Sequence, residues 1–161
     1  MTNQNEVCVK MVLDAWNAKV KDTDKLLASI TDEQLLKEIA PNRNRGVYLL
    51  GHLTAVNDKL LPLLGLGEQQ LPQLNEAFLT QADKAVSEIP SAADLRNYWK
   101  SSTDKLAKHF SSMKADEWFE KHTAVSDEDF AKEPHRNRLN VIISRTSHLA
   151  YHGGQIALLK N

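Results

Sequence analysis

The chain has 161 residues, 42% of them hydrophobic, which is enough for the core of one compact domain, predicted over residues 1–161. The formal net charge of -1 lacks the basic excess of nucleic-acid-binding proteins, and charges interrupt the longest apolar runs before they could span a membrane. The single cysteine, Cys8, excludes an intrachain disulfide and a multi-cysteine zinc site. The N-terminal residues lack the features of a signal peptide, so we expect a cytoplasmic location.

Four long amphipathic helices are predicted from apolar residues at three- and four-residue spacing. The few glycines and prolines fall mostly between these segments, which favours helices over a turn-rich β fold. The first helix is predicted over residues 5–30, and Cys8 borders its apolar stripe as a small buried hydrophobe rather than a reactive thiol. A capping box over residues 31–34 begins a short helical turn that Pro41 closes.

The second long helix is predicted to begin at an N-cap on Asn44 and to end near Leu64, before Gly65. His52 lies beside the apolar face of this helix. The connection over residues 65–90 is longer than a hairpin between antiparallel neighbours requires, and residues 75–88 are consistent with an irregular helix. A crossover of this length can travel along a bundle and start the third helix in the same direction as the second.

The third and fourth helices begin at recognisable caps, at Ser91 with Asp94 and at Asn137. A polar connection over residues 114–134 joins them, with aromatic residues expected to anchor it, and the fourth helix continues to the C-terminus. The sequence therefore predicts an all-α fold, a four-helix bundle in the order up-down-down-up with a long crossover between helices two and three.

Two arginine pairs occupy matching positions before and at the start of the second and fourth helices. They are Arg43 and Arg45, and Arg136 and Arg138. A positive charge in the first turn of a helix opposes the helix dipole, so these side chains point either to an acidic partner or substrate or to surface solubility. The sequence leaves both explanations open.

A histidine cluster is the feature that indicates chemistry. His148 and His152 are four residues apart on one helix face, about 6 Å along the axis, so their imidazoles can converge on one transition-metal ion. If helices two and four are antiparallel neighbours, His52 comes to a similar depth and completes a site with an open position for water or substrate. The alternative is that these are ordinary hydrogen-bonded core histidines. We expect His109, His122 and His135 at the surface.

Familiar metal motifs do not match this cluster. Leu149 stands where a zinc-protease helix has glutamate, and no glutamate lies three residues before a histidine, as the di-iron bundles require. Gly51-His52-Leu53, together with the run from His148 to Ile156 (HLAYHGGQI), instead resembles the DinB superfamily of DinB-like and YfiT-like metalloenzymes. The likeness covers nearly the whole chain in length, helix order and crossover, although its specific part is confined to these two motifs.

This resemblance implies an up-down-down-up bundle in which His52, His148 and His152 bind a divalent ion, usually zinc or nickel. Members of the family include thiol-cofactor-dependent transferases, isomerases and hydrolases, and dimers are frequent. Many members carry arginine or another residue where this chain has Gly153. We therefore expect a metal-dependent transferase or hydrolase that acts on a small molecule, with a low-molecular-weight thiol as cofactor and a homodimeric assembly.

Two residues near His52 are candidates for contacts with the metal ligands or the substrate. Tyr48 lies one turn before His52 and Asn57 about one turn after it, and ordinary packing is the alternative for both. No residue is identifiable as a dedicated general base, and a metal site of this kind does not require one. A different class of function also fits the sequence, namely a non-catalytic, stress-related binding or dimerisation module with a structural or incidental metal.

Overall fold

The computed structural model describes residues 3–160, and within that range it contains helices and no β-strand, so the predicted all-α class is confirmed. Six α-helices are present: α1 (Gln4–Ala28), α2 (Asp32–Leu35), α3 (Gly46–Leu63), α4 (Ala92–Ser112), α5 (Asp127–Lys132) and α6 (Arg138–Ala157). Three 3₁₀ turns (Pro72–Leu74, Ala115–Phe119, Leu158–Lys160) and one π-helical turn (Glu76–Thr80) complete the helical structure. Among these residues no helix combines the length and the hydropathy of a membrane span.

Helix starts follow local capping chemistry at three predicted positions. Thr31 and Ser91 each form a reciprocal capping box, and the side chain of Asn137 accepts a hydrogen bond from the backbone of Asn140. The predicted cap at Asn44 is wrong, because the N-cap position of α3 is Arg45, one residue later, and it makes no side-chain cap hydrogen bond. The carbonyl of Asn44 instead accepts a hydrogen bond from the backbone of Ile39, which holds this residue in the loop before α3.

The ends of α3 and α6 show how these two helices lie against each other. Gly46 at the start of α3 packs on Leu159, just beyond the end of α6, because it has no side chain to keep Leu159 away. At the opposite end, a Cβ on Gly65 would lie 3.5 Å from the guanidinium of Arg138 at the start of α6. The two helices therefore run in opposite directions, which brings the middle of α3 against the second half of α6.

Helix α1 packs mainly on α6, and α3 packs mainly on α4. The indole nitrogen of Trp99 on α4 donates to Asp24 near the end of α1, at 2.8 Å. Nearer the start of α1, Trp16 contacts Phe110 near the end of α4, with ring centroids 6.4 Å apart. The fully buried core between the long helices consists mostly of leucine, with Phe78, Trp118 and Ile142.

The crossover between α3 and α4 is helical over a shorter range than expected. An irregular helix over residues 75–88 is consistent with the sequence, whereas the structure restricts helical geometry to the turns at 72–74 and 76–80. The buried carboxylate of Asp58 accepts hydrogen bonds from the backbone amides of Gln70 and Leu71, at 2.8 to 3.0 Å. These bonds pin the crossover onto α3, and Phe78 then fills the space beside that helix.

The four arginines before and at the start of α3 and α6 differ in their partners. Arg45 pairs with Asp83 at 2.6 Å, Arg138 with Glu120 at 3.2 Å, and Arg136 with Glu133 at 3.3 Å. Arg43 is exposed and forms no ion pair within residues 3–160. Acidic partners from the same chain therefore balance three of the four charges.

The prediction that Cys8 is buried is wrong, because its side chain is exposed. Val9 and Trp16, seven residues apart, mark the buried face of α1 in this region. Position 8 lies about 100° around the helix from Val9, so Cys8 falls outside that face. Of the histidines expected at the surface, His135 is exposed, whereas His109 and His122 are half-buried.

Candidate metal centre

Three histidines from two helices converge at one point of the structure. Nε2 of His148 lies 3.1 Å from Nε2 of His52 and 3.1 Å from Nε2 of His152. The three ligand atoms all lie within 4.8 Å of one another, and each residue is half-buried. The structure therefore assembles a cluster that could hold a metal ion, from one residue of α3 and two of α6.

His52 is oriented by the crossover. Its Nδ1 lies 2.8 Å from the carbonyl oxygen of Phe78 in the π-helical turn. A carbonyl only accepts hydrogen bonds, so Nδ1 carries the proton, and Nε2 of the neutral ring presents its lone pair to the other histidines. This is the usual arrangement of a ligating histidine, in which a hydrogen bond from one ring nitrogen fixes the other toward a metal.

His152 is oriented from within α6. Its Nδ1 lies 2.7 Å from Oε1 of Gln155, three residues later on the same helix face. The amide oxygen accepts the proton from Nδ1, so Nε2 of His152 also faces the cluster with a free lone pair. Two of the three rings thus have their tautomer and orientation set by acceptors outside the cluster.

The environment favours the neutral form of the histidines on α6. Burial lowers the pKa of His148 to about 4, and the nearby charges of His152, His52 and Arg145 act in the same direction. Burial also lowers the pKa of His152, as does the charge of His52, although the hydrogen bond to Gln155 opposes this. Neutral imidazole is the form that binds metal, so these rings are ready to act as ligands at neutral pH.

The chemistry of the donor set supports a shared cation. A neutral His148 has one ring proton, so it can donate to only one of its two neighbours at 3.1 Å, and the other contact brings two lone pairs together. A cation between the three nitrogens removes this repulsion. Nitrogen ligands about 2.1 Å from one ion lie roughly 3.0 to 3.4 Å apart at octahedral to tetrahedral angles, which the two observed separations match.

Tyr48 and Asn57 occupy different surroundings. The ring of Tyr48 stacks on His52 with centroids 6.5 Å apart, and its hydroxyl donates to the carbonyl of Gln81 at 2.8 Å, away from the three nitrogens. Burial raises the pKa of Tyr48, as does the charge of Asp83. Asn57 is buried in a small cavity between α3 and α4 and is not brought to the cluster.

Three neighbours of the cluster were not foreseen from the sequence: Gln155, the carbonyl of Phe78, and the charge of Arg145. Gln155 and Arg145 each lie three residues from a histidine of the cluster, a spacing that places them on the same helix face and could have identified them. The contact with Phe78 involves a backbone carbonyl, which every residue carries, so no side-chain pattern could have pointed to it.

Comparisons with known proteins agree with this architecture. A search of curated proteins found no match. Among solved structures, the chain is similar to one described as the conserved protein of locus from Enterococcus faecalis, with 15% sequence identity and a TM-score of 0.63 over 99% of this chain and 96% of that one. At this identity the likeness shows a shared fold. The family model of the DinB superfamily matches residues 15–156, a range that contains all three histidines, and the chain therefore belongs to the DinB superfamily.

Proposed function

We propose that this protein binds a divalent metal, zinc or nickel, through His52, His148 and His152, and that it is a metal-dependent transferase or hydrolase acting on a small molecule. The observation that carries the proposal is the convergence of three Nε2 atoms, with two of the rings held by acceptors on their Nδ1 side. Membership of the DinB superfamily supports it. We further propose a low-molecular-weight thiol as co-substrate.

The residues of the site have separable roles in this proposal. A bound divalent ion would lower the pKa of a thiol or water at the site and so supply a nucleophile at neutral pH. Phe78 and Gln155 keep His52 and His152 in the ligating tautomer. The fully buried Phe78 excludes water behind His52, while the half-buried imidazoles leave a path for a substrate from solvent.

We also infer the up-down-down-up bundle as the topology that presents these histidines. The inference rests first on the opposite directions of α3 and α6. The contacts Asp24–Trp99 and Trp16–Phe110 show that α1 and α4 also run in opposite directions. Thr23 lies near Gly153, which places the later parts of α1 and α6 side by side. In this topology the long crossover passes beside His52. A single domain over residues 1–161 and a cytoplasmic location stay predictions.

We propose a homodimeric assembly for the enzyme. The alternative function, a non-catalytic dimerisation module, also requires a dimer. Ile143 and Tyr151, eight residues apart on α6, are 48% and 65% exposed, and we take this helix as the candidate interface. Light scattering after size-exclusion chromatography measures the mass directly. A monomer at micromolar concentration would remove both the homodimer and the dimerisation module.

The metal content of the purified protein tests the site. We expect about one zinc or nickel per chain in wild type, measured by plasma mass spectrometry, with loss of the metal in His148→Ala. His135→Ala is the matched control, because His135 is exposed and distant in sequence from the cluster, and it should retain the metal. Equal metal content in the two variants would refute the assignment.

The reaction class needs a second measurement. One assay follows the consumption of bacillithiol, mycothiol or glutathione in the presence of electrophilic acceptors. A second assay follows the hydrolysis of these acceptors in the absence of thiol. We expect turnover that depends on both the metal and His148. Metal-loaded protein that is inactive in every arm would favour the binding module over the enzyme.

A further inference from the structure

Arg145 differs from the other partly buried arginines of the protein. Arg45, Arg96 and Arg138 each pair with a carboxylate. The side chain of Arg145 forms no ion pair or hydrogen bond with any residue from 3 to 160, and its Nε, like that of Arg138, is buried without a partner. A partly desolvated guanidinium without an ion-pair partner among the described residues is unfavourable, and an anion from outside the chain would relieve this cost.

Arg145 lines a cavity of about 230 Å³ between α3, the crossover and α6. The walls are apolar, and the charged groups on the lining are both cationic: Arg145 and Lys59. None of the acidic residues from 3 to 160 contributes to the lining, so no carboxylate of this part of the chain neutralises either charge within the cavity. The volume is below the roughly 300 to 1,000 Å³ of sites for drug-sized ligands, and the cavity therefore suits a small molecule. Its apolar lining consists of Val56, Leu60, Leu63 and Leu79.

The cavity is adjacent to the histidine cluster on all three elements that form it. On α6, Arg145 precedes His148 by three residues and lies on the same face, about 4.5 Å along the axis. On α3, Val56 follows His52 by four residues. In the crossover, Leu79 follows Phe78, whose carbonyl contacts His52. The near edge of the cavity, at Val56 and Arg145, therefore lies about one helical turn from the histidines of the cluster.

We propose that Arg145 is the substrate-binding residue of this site and that the substrate is a small organic acid. Its carboxylate pairs with the guanidinium of Arg145, and its apolar part lies against the cavity wall with the reacting end toward the histidines. The proposal rests on the function proposed above for the cluster. The planar guanidinium can donate two parallel hydrogen bonds to a carboxylate, which fixes both the position and the orientation of the molecule.

The lining favours a carboxylate over a phosphate. A phosphate group presents three oxygens that need donors, whereas the partly buried donors here come from one guanidinium, and Lys59 is exposed. The remaining wall is made of aliphatic side chains. Burial of an apolar ligand chain against them is favourable, whereas they form no hydrogen bond or ion pair with an inorganic ion. The site therefore suits an aliphatic acid.

Calorimetric titration of hexanoate and its neutral counterpart hexanamide tests the inference. Both are titrated into wild type, Arg145→Gln and Arg43→Gln, each in zinc-loaded and metal-free form. Arg43 is the matched control, because it is exposed and forms no ion pair within the described residues. We expect wild type to bind hexanoate about tenfold more tightly than hexanamide, and Arg145→Gln alone to lose this preference.

Several outcomes would overturn the inference. They are equal affinities for hexanoate and hexanamide in wild type, equal losses in Arg145→Gln and Arg43→Gln, and tighter binding of inorganic phosphate than of hexanoate. Hexanoate binding that requires zinc and survives Arg145→Gln would place the carboxylate on the metal and also contradict the inference. If Arg145→Gln does not fold, Arg145→Lys replaces it, since it keeps the charge without the planar fork and should bind hexanoate several-fold more weakly.

The same samples separate this inference from the proposed function. Zinc content per chain decides whether the cluster binds metal, and hexanoate binding by the metal-free protein decides whether Arg145 holds a carboxylate. Arg145→Gln is expected to retain zinc at the wild-type level, because Arg145 is not a ligand. Protein that takes up no zinc but still binds hexanoate through Arg145 would refute the metal site and leave the anion site standing.

Discussion

The ring of Phe78 lies directly on the backbone of Gly51, so closely that a Cβ on residue 51 would overlap three of its ring atoms. Phe78 is fully buried, and its carbonyl accepts the hydrogen bond that orients His52. The absence of a side chain at position 51 therefore allows the crossover to approach α3 closely enough to position the ring of His52, a candidate metal ligand. The glycine belongs to the site although it carries no chemistry of its own.

Gly51→Ala is predicted to destabilise the protein by about 1 to 3 kcal/mol, because the buried Phe78 ring must move to admit a methyl group. The movement also disturbs the bond to His52, so zinc affinity should fall. Urea denaturation measures the first effect, and competition with a chromophoric chelator measures the second.

Gly154→Ala is the control for that substitution. Gly154 is also helical, and a Cβ there would meet nothing within 4 Å, so alanine should stabilise α6 by roughly 0.5 to 1 kcal/mol through its helix propensity. If Gly51→Ala were as stable as Gly154→Ala, the close approach of Phe78 would have no energetic importance.

Gln155→Ala is predicted to weaken zinc binding by about 10- to 100-fold, because it removes the acceptor that holds Nδ1 of His152. Gln155→Glu should restore the affinity, since a carboxylate accepts the same hydrogen bond and makes the ring more basic. Chelator competition at constant pH gives the dissociation constants, with Gln73→Ala as the control at an exposed position. Unchanged affinity in Gln155→Ala would show that His152 needs no orienting partner.

The metal-free protein is predicted to lose stability as the pH falls from about 6.5 to about 4. The unfolded chain binds a proton at His148 near its ordinary pKa, whereas burial lowers the pKa of the folded ring to about 4. Between these values the unfolded state holds more protons, so stability rises with pH and is fully present above pH 6.5. The lowered pKa of His152 acts in the same direction.

We expect protonation of His148 to lower the free energy of unfolding by on the order of 1 to 2 kcal/mol at acidic pH, with solvent screening of the half-buried ring included. Urea denaturation at intervals between pH 4 and pH 7.5 measures it. His148→Gln, which has no titrating group, should flatten the profile. A profile for the variant as steep as that of wild type would assign the pH dependence to other groups.

Arg145→Met is predicted to raise the free energy of unfolding by about 1 kcal/mol, because methionine keeps the apolar stem and removes an unpaired, partly desolvated charge. Arg96→Met is the comparison. Arg96 donates to the carbonyls of Leu27 and Ile30 and to Asp32, so its loss leaves acceptors unpaired and should cost about 1 to 3 kcal/mol. Chemical denaturation of the metal-free proteins measures both, and destabilisation of Arg145→Met would mean that the guanidinium has a structural partner.

The sequence by itself determined the helices and most of their starts. Capping at Thr31, Ser91 and Asn137 involves residues three positions apart, and the apolar period of a helix depends on neighbours within two turns. The spacing of His148 and His152 is of the same local kind. The prediction for Asn44 is wrong because a hydrogen bond within the loop holds this residue outside α3. The prediction for Cys8 is wrong because the face of α1 that is buried depends on what packs against the helix.

Only the tertiary structure decided which groups meet across the chain. His52 and His148 are 96 residues apart, and their 3.1 Å contact depends on the opposite directions of α3 and α6. Residue order does not reveal that a backbone carbonyl orients His52, or that the Arg145 side chain has no partner among residues 3–160. Local hydrogen bonds and helical periodicity depend on neighbouring residues, so they can be predicted from the sequence. The site depends on packing between residues that are distant in the chain, and only the folded core determines that packing.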